Sequence, residues 1–348
     1  MLYKRVRVFR HGGPEVLQVV EEELRPPRAG EARIRVLAAA VTRPDVSVRR
    51  GTALYTGTPL EQKLPFTPGY AVIGDIDALG AEVSGVTVGQ RVGALTVING
   101  YSEFLYWRAD RLIPVPAQVD PAQAVPLILN YVVAYQTLHR VAKARAGETA
   151  LIIGASGGIG TALLQLGRLT GLSMVGLASA SKHAILRAYG AIPIDYRSED
   201  FVAVLSRAEP GGLDVVLDGV MDPNQMRRAL GLLRRGGRMV SFGEPASRRA
   251  LLDILGLAAR HQLGSKTLSL YGTSSYFLFN RQPYLEDWAT LFRFLQAGKI
   301  EPVIAARFPL DQAAAANALL ESGQVVGNIV LLAPPLLGDA SQTQSAIA

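Results

Sequence analysis

The chain contains no cysteine. Disulfides and every thiolate metal site are therefore excluded. Histidine is almost as scarce, with only His11, His139, His183 and His261. No two of them are spaced as a ligand pair on one element, and none lies in an HExxH pattern. No apolar run reaches the roughly 20 residues needed to cross a bilayer. Met1 to Gly13 carries charge but lacks the apolar core of a secretory signal. It reads as a strand, with Val6 and Val8 inward and Arg5, Arg7 and Arg10 mostly outward. These absences predict a cytoplasmic protein. Clustered basic charge is missing too. The net charge is +7, yet the arginines are scattered, with only short pairs such as Arg49–Arg50 and Arg234–Arg235. That pattern reads as a solvated surface, not a nucleic-acid face.

What is present is a 348-residue chain, 49% hydrophobic, long enough for two domains with real cores. Residues 1–124 show short alternating runs rich in Gly and Pro. Ala32–Val36 puts Ala32, Ile34 and Val36 on one strand face and Arg33 and Arg35 on the other. Val72 to Val92 reads as further strands broken at Gly74, Gly80, Gly85 and Gly89, as in an all-β lobe. From Pro121 to Val141 the periodicity is helical, and Asp120 can cap its start. Thr149–Ile153 is continuously apolar, like a strand buried on both faces of a parallel sheet. Helix and strand then alternate to the strand at Thr267–Tyr271, the pattern of a doubly wound α/β sheet. Tyr284–Gln296 and Asp311–Glu321 read as helices and Asn328–Leu332 as a last strand that returns to the first lobe. Residues 336–348 read as a disordered tail.

The sharpest motif runs from Leu151 to Gly160, directly after a buried strand and before a helix. Its loop consists of Ala155, Ser156, Gly157, Gly158, Ile159 and Gly160. Ala155-x-Gly157-x-x-Gly160 is the dinucleotide fingerprint with Ala for the first Gly. Gly157 lets the backbone approach a pyrophosphate, and Gly160 lets the helix pack closely on the strand. The free N–H groups of the helix start then hold the phosphates. The bland reading is a Gly-rich turn with no ligand. An NAD site usually places an acid after the second strand. Here Met174–Ala178 is followed by Ser179, Ala180, Ser181, Lys182 and His183. Two hydroxyls and a lysine suit the 2′-phosphate of NADPH. Ser181 is equally suited to capping the next helix, with Lys182 solvated.

Further segments carry a family resemblance. Pro68-Gly69, Gly74-Asp75-Ile76, Leu79-Gly80 and Gly89-Gln90-Arg91-Val92 resemble the N-terminal lobe of medium-chain dehydrogenases/reductases. Asn130 to Tyr135 resembles the segment before their cofactor domain, and Ile194 to Arg197 and Gly327 to Leu331 complete the match, which spans about Val6 to Leu332. The chain looks most like the quinone oxidoreductases; Ser179–His183 and Leu129–Tyr131 look like the vesicle amine transport protein branch. The resemblance implies an α/β fold: a Rossmann doubly wound parallel sheet (125–272) and a GroES-like, mainly β catalytic domain built from 1–124 and 273–335. It places the active site in a cleft between the two. It implies that Lys182 and Tyr196 hold the 2′-phosphate, that Asn130 and Val133 approach the nicotinamide end, and that Gly219, Phe242 and Gly243 line the dinucleotide rim. Asn328 stands where many relatives carry a lysine near the cofactor. It also implies a homodimer formed by pairing of the last sheet strands.

The departures bear on the chemistry. In zinc-dependent relatives the first metal ligand falls at Ala40-Val41-Thr42, and a Gly-His-Glu position reads Gly69-Tyr70-Ala71 here. Without a Lewis acid, the expected chemistry is hydride transfer from NADPH to a conjugated acceptor, a quinone or an α,β-unsaturated carbonyl. Tyr55 is the first candidate for proton donor, and is equally readable as a packing tyrosine. Thr42 stands where many quinone oxidoreductases have Asn; it either bonds a substrate oxygen or is a satisfied strand-end residue. Asp45 reads as the cap of the following short helix. The aromatic run Gly272 to Phe279 reads as substrate wall or dimer contact, or as plain core. Two other functions stay open: reduction of an enoyl thioester, and non-catalytic NADPH binding as a structural or sensor protein.

Overall fold

The computed structural model describes residues 1–336 apart from Leu60, 262–263, 274–276 and 278–279. The tail expected over 336–348 thus lies, from 337 on, outside the described residues. The chain divides into two compact units, Asn130–Asp287 and the remainder, Met1–Leu129 together with the chain from Trp288. The divisions fall somewhat later than the boundaries expected at 124/125 and 272/273.

The central unit contains one six-stranded sheet. Its spatial order is Ile192–Asp195, Ser173–Ala178, Thr149–Ile153, Leu213–Asp218, Leu233–Ser241 and Thr267–Leu270. Every neighbouring pair is parallel. The first three strands in sequence build outward to one edge and the last three to the other. The order therefore reverses between Thr149–Ile153 and Leu213–Asp218, and open α/β sheets bind ligands beyond the carboxyl ends of strands at such a reversal. Leu213–Asp218 is buried along its whole length, as expected of a parallel strand covered on both faces. The crossovers include the helices Gly158–Thr170, His183–Ala188, Phe201–Ala208, Pro223–Leu232 and Arg248–His261.

The other unit is mainly β. Glu31–Val41 pairs with Ala71–Leu79, with Phe104–Arg108 and with Asn328–Leu332, so the end of the chain completes the first sheet. Ala32 and Ile34 are buried and Arg35 exposed, as alternation demands. The strand nevertheless runs five residues past Val36, because Leu37–Val41 is continuously apolar and Ala38 to Val41 are buried. Gly74 does not break its strand. A Cβ there would lie 2.4 Å from the Arg35 carbonyl oxygen, beside a register shift between Val36 and Ala38. It is a close backbone approach inside a strand, which only glycine allows.

The single helix expected over Pro121–Val141 is a succession of short turns. Pro121–Pro126 is α-helical, Leu127–Tyr131 and Gln136–Val141 are π-helical, and Val132–Tyr135 is α-helical. Pro126 has no N–H to donate within that run, and wider turns of this kind re-aim side chains. Smaller shifts are confined to element ends. Helices expected from Tyr284 and Asp311 start at Gln282 and Ala313, and the strand expected to end at Tyr271 ends at Leu270. Among the described residues no helix is long and apolar enough to cross a membrane.

Candidate functional site

The glycine-rich loop sits at the carboxyl end of the Thr149–Ile153 strand. Gly154 takes φ +81°, turning the chain sharply out of the sheet. Gly157 is extended and precedes the helix Gly158–Thr170, and no side chain caps that helix start. Its first N–H groups and its dipole are thus offered to an outside anion. A Cβ on Gly160 would meet the Gly154 carbonyl oxygen at 2.2 Å. A Cβ on Gly157 would meet nothing closer than 3.6 Å, so that side of the loop is open to a ligand. Ala155 fits because Gly176 faces it: a Cβ at 176 would lie 2.9 Å from the Ala155 methyl. These residues fit a dinucleotide pyrophosphate, with one glycine for packing and one for access.

The other residues expected at this site lie at the same sheet edge. Ser179 follows the Ser173–Ala178 strand, and Ser181 and Lys182 form the short turn Ala180–Lys182 behind it. Ser179 is buried and Ser181 exposed, with their hydroxyl oxygens 3.4 Å apart; Lys182 is half-buried. Ser181 does not cap the helix that begins at His183. The His183 imidazole sits 3.2 Å from the Ala178 carbonyl. Tyr196 follows the neighbouring Ile192–Asp195 strand, half its surface exposed. Gly219 and Phe242-Gly243 follow the next two strands and touch. The Gly219 N–H donates to Ile153 O at 3.1 Å, and a Cβ on Gly243 would press against Gly219 O at 2.6 Å. Val133 is buried in the short helix Val132–Tyr135, which packs on the phosphate-loop helix; Asn130 is half-buried one π-turn earlier.

One residue of this edge was missed at the level of sequence. Asp218 ends the Leu213–Asp218 strand with its carboxylate buried. It accepts from Val220 N at 2.9 Å, Met221 N at 3.2 Å and Ser241 Oγ at 3.0 Å. It thereby holds together the loops that carry Gly219 and Phe242. Burial pushes its carboxyl above the ordinary range against these donors. The only sequence signal was an acid closing an otherwise apolar strand.

In the β-rich unit, Asp45 is the centre of a buried cluster. It is not the cap of its helix. Thr42 takes the capping position before Arg43–Arg50, and Asp45 reaches back from the third helical position. Its Oδ2 accepts from Thr42 N at 2.8 Å, Thr42 Oγ1 at 2.7 Å and Tyr101 OH at 3.3 Å, and its Oδ1 from Gly69 N at 2.9 Å. Burial raises the Asp45 pKa to about 6, opposed by these donors. Gly69 has φ +113° and lies so close to Gly100 that a Cβ would be 2.5 Å from its Cα. Thr42 and the Gly69-Tyr70 turn are therefore fixed to each other. Tyr55 lies in the turn after this helix and packs, partly buried, on the hydrophobic core of the unit. Asn328 is buried, and its amide donates to Val303 O at 3.0 Å. Of the aromatic run, 274–276 and 278–279 lie outside the described residues. Phe277 is core at its position, buried edge-on against Tyr284 with ring centroids 5.3 Å apart.

The positions that the resemblance equates with metal ligands do not fit zinc. Thr42 offers a hydroxyl already bonded to Asp45, Tyr70 replaces histidine, and the chain has no cysteine. Among the described residues no three His, Asp or Glu side chains gather as a metal site.

Known proteins resemble the chain over nearly its whole length. Residues 28–117 match the family model described as alcohol dehydrogenase GroES-like domain, and residues 189–331 the one described as zinc-binding dehydrogenase. The chain is 31% identical to a quinone oxidoreductase of Rattus norvegicus over 337 residues, covering 95% of this chain and 98% of that protein. It is 27% identical to a synaptic vesicle membrane protein VAT-1 homolog of Danio rerio over 96% of this chain and 71% of that one. Among solved structures, Escherichia coli quinone oxidoreductase complexed with NADPH superposes with a TM-score of 0.84, at 28% identity, over 95% of this chain and all of the other.

Proposed function

Because the chain belongs to the medium-chain dehydrogenase/reductase family, we propose that it is an NADPH-dependent oxidoreductase that reduces quinones or α,β-unsaturated carbonyls by hydride transfer without a metal. The observation that carries this reading is the sheet edge around Gly157. An uncapped helix start stands behind an open glycine, and the neighbouring strand ends in Ser179, Ser181 and Lys182 with no acid. The NADPH complex of the Escherichia coli quinone oxidoreductase supports the same cofactor.

NADPH supplies the hydride, and the chain supplies position and charge. The amides of Gly158 to Gly160 at the helix start and the helix dipole hold the pyrophosphate. Ser179, Ser181, Lys182 and Tyr196 hold the 2′-phosphate, Lys182 by charge. Asn130 and Val133 lie toward the nicotinamide end, and Gly219, Phe242 and Gly243 form the rim, braced by Asp218. Thr42 and Tyr55 are the candidates to meet the acceptor oxygen. The engaged amide of Asn328 gives it a structural role first, and a cofactor contact second. Conjugated acceptors suit a site whose donor set does not fit zinc, because conjugation spreads the charge that a Lewis acid would otherwise stabilise. The Thr267–Leu270 strand ends the described sheet, which supports a homodimer formed by strand pairing.

The test is fluorescence titration with NADPH and NADH, comparing wild type with Lys182→Ala. NADPH is expected to bind more tightly. A hydrogen bond to a charged group is worth about 1.5–3 kcal/mol, so the variant should lose about 10- to 100-fold in NADPH affinity with NADH unchanged. Unchanged NADPH affinity in the variant would move the 2′-phosphate site elsewhere. Failure of both nucleotides to bind would remove the enzymatic reading altogether.

A further inference from the structure

The Asp45 cluster contains an asymmetry that bears on the proton needed after hydride transfer. Four donors surround one carboxylate, and two of them are backbone amides, Thr42 N and Gly69 N, that cannot turn away. The other two are rotors, Thr42 Oγ1 and Tyr101 OH. While Asp45 is ionised, the single proton of the Thr42 hydroxyl is spent on it, leaving Thr42 able only to accept elsewhere. Once Asp45 carries a proton, that proton must point at an oxygen able to accept. The nearer rotor is Thr42 Oγ1, at 2.7 Å against 3.3 Å for Tyr101. Thr42 then has its own proton free to donate to another acceptor.

We propose that the protonation state of Asp45 sets whether the Thr42 hydroxyl donates to, or only accepts from, the acceptor oxygen of the substrate. The proposal rests on the reading of Thr42 as a substrate contact. When the acceptor has taken the hydride and its two electrons, the negative charge lies on oxygen. Thr42 gives its proton to that oxygen as the Asp45 proton moves onto Thr42 Oγ1. One O–H bond forms on the product and one breaks on Asp45. Asp45 is left ionised and regains a proton by the same route, through Thr42 Oγ1, once the product has left. Asp45 is thus a positioning residue and proton store, and Thr42 the group in contact.

The surroundings leave this switch to Asp45 alone. Tyr101 is fully buried, its phenol pushed well above its ordinary value by burial, so it stays protonated. Arg49, on the same helix as Asp45, faces the cluster with its charge held by Glu321, which Arg50 also engages. Asn317, from the helix Ala313–Glu321, faces Tyr101 and carries no charge. Because burial places the Asp45 pKa at about 6, the neutral form is lost as pH rises through that value.

The experiment measures kcat for NADPH-driven reduction of 1,4-naphthoquinone from pH 5 to 9 in wild type, Thr42→Val and Thr42→Ser. In parallel, the buried carboxylic-acid band of the ligand-free proteins is titrated by infrared spectroscopy. Wild type should lose kcat with rising pH, approaching tenfold per unit above about pH 6. Thr42→Val should lose about 100-fold and become flat with pH, while Thr42→Ser keeps both rate and slope. In the infrared, Thr42→Val removes a donor to the ionised form and should move the titration upward; Thr42→Ser should not. A Thr42→Val enzyme that keeps the wild-type slope, or a carboxyl titration that it does not move, would overturn the proposal. Absence of turnover in wild type would refute the quinone reading instead, and the infrared arm alone then decides whether Asp45 answers to Thr42.

Discussion

Gly160→Ala is expected to lower the melting temperature by roughly 6–12 °C and to abolish NADPH binding. The added methyl would lie 2.2 Å from the Gly154 carbonyl oxygen and 2.5 Å from the Ala155 carbonyl carbon, both backbone atoms of the phosphate loop. No side chain can rotate to make room, so the cost sits at the upper end of the overpacking range, about 3 kcal/mol. At about 2–4 °C per kcal/mol for a unit of this size, that gives the stated shift. Relief requires the loop to separate from its helix, which displaces the amides proposed to meet the pyrophosphate. Gly157→Ala is the matched control. Nothing in the fold lies within 3.6 Å of its Cβ, and its φ of −76° suits any residue. It should melt within about 0.5 kcal/mol of wild type yet lose the rise in melting temperature that saturating NADPH confers, worth about 2.7 kcal/mol at a hundredfold excess over Kd. Calorimetry with and without NADPH separates the two effects. If Gly157→Ala keeps the full ligand-induced rise, the pyrophosphate does not approach at 157.

Asp287→Ala is expected to destabilise the central unit by about 3 kcal/mol, because it leaves buried partners unpaired. Asp287 is 2% exposed and accepts from Gln136 Nε2 at 2.8 Å and from Arg140 Nε and Nη2, each at 2.7 Å. The network extends inward. Gln136 Oε1 accepts from Tyr271 OH at 2.7 Å, and Tyr284 OH lies 3.1 Å from Tyr271 OH. Losing the carboxylate strands the Gln136 amide in the interior, where an unmet polar group costs about 1–3 kcal/mol. Arg140 keeps 39% of its side chain exposed and recovers some hydration, which holds the total near the lower end of the range for a broken buried pair. Glu286→Ala removes the exposed partner of the same arginine, 3.2 Å away, and should change stability by less than about 0.5 kcal/mol. Urea denaturation of both variants decides the point; equal effects would mean that the buried carboxylate carries no more than the surface one. The consequence extends along the chain, since Gln136 and Arg140 continue the helical run that carries Asn130 and Val133, the residues proposed for the nicotinamide end.

How much of this was legible beforehand differs from element to element. The parallel strands announced themselves because burial on both faces demands an unbroken apolar run, as at Thr149–Ile153. Glu31–Val41 was foreshortened, since alternation stops at Val36 while the strand does not. The run from Pro121 reads as one regular helix because π-turns keep a nearly helical spacing of apolar residues. Asp45 reads as a cap because an acid near a helix start usually is one, and its exchange of roles with Thr42 depends on Gly69 and Tyr101.

By itself the sequence determined the glycine-rich loop and the doubly wound sheet behind it. Both are local: the steric need for glycine is set within one strand–turn–helix unit, and burial is written in each strand's own composition. Only the tertiary structure decided the polar networks. Asp45 meets partners 24 and 56 residues away, and Gln136 finds Asp287 across 151 residues of chain. A hydrogen bond between distant residues leaves no periodicity, because the same side chain would serve equally well facing solvent. It becomes visible only when folding removes the water that could have taken its place.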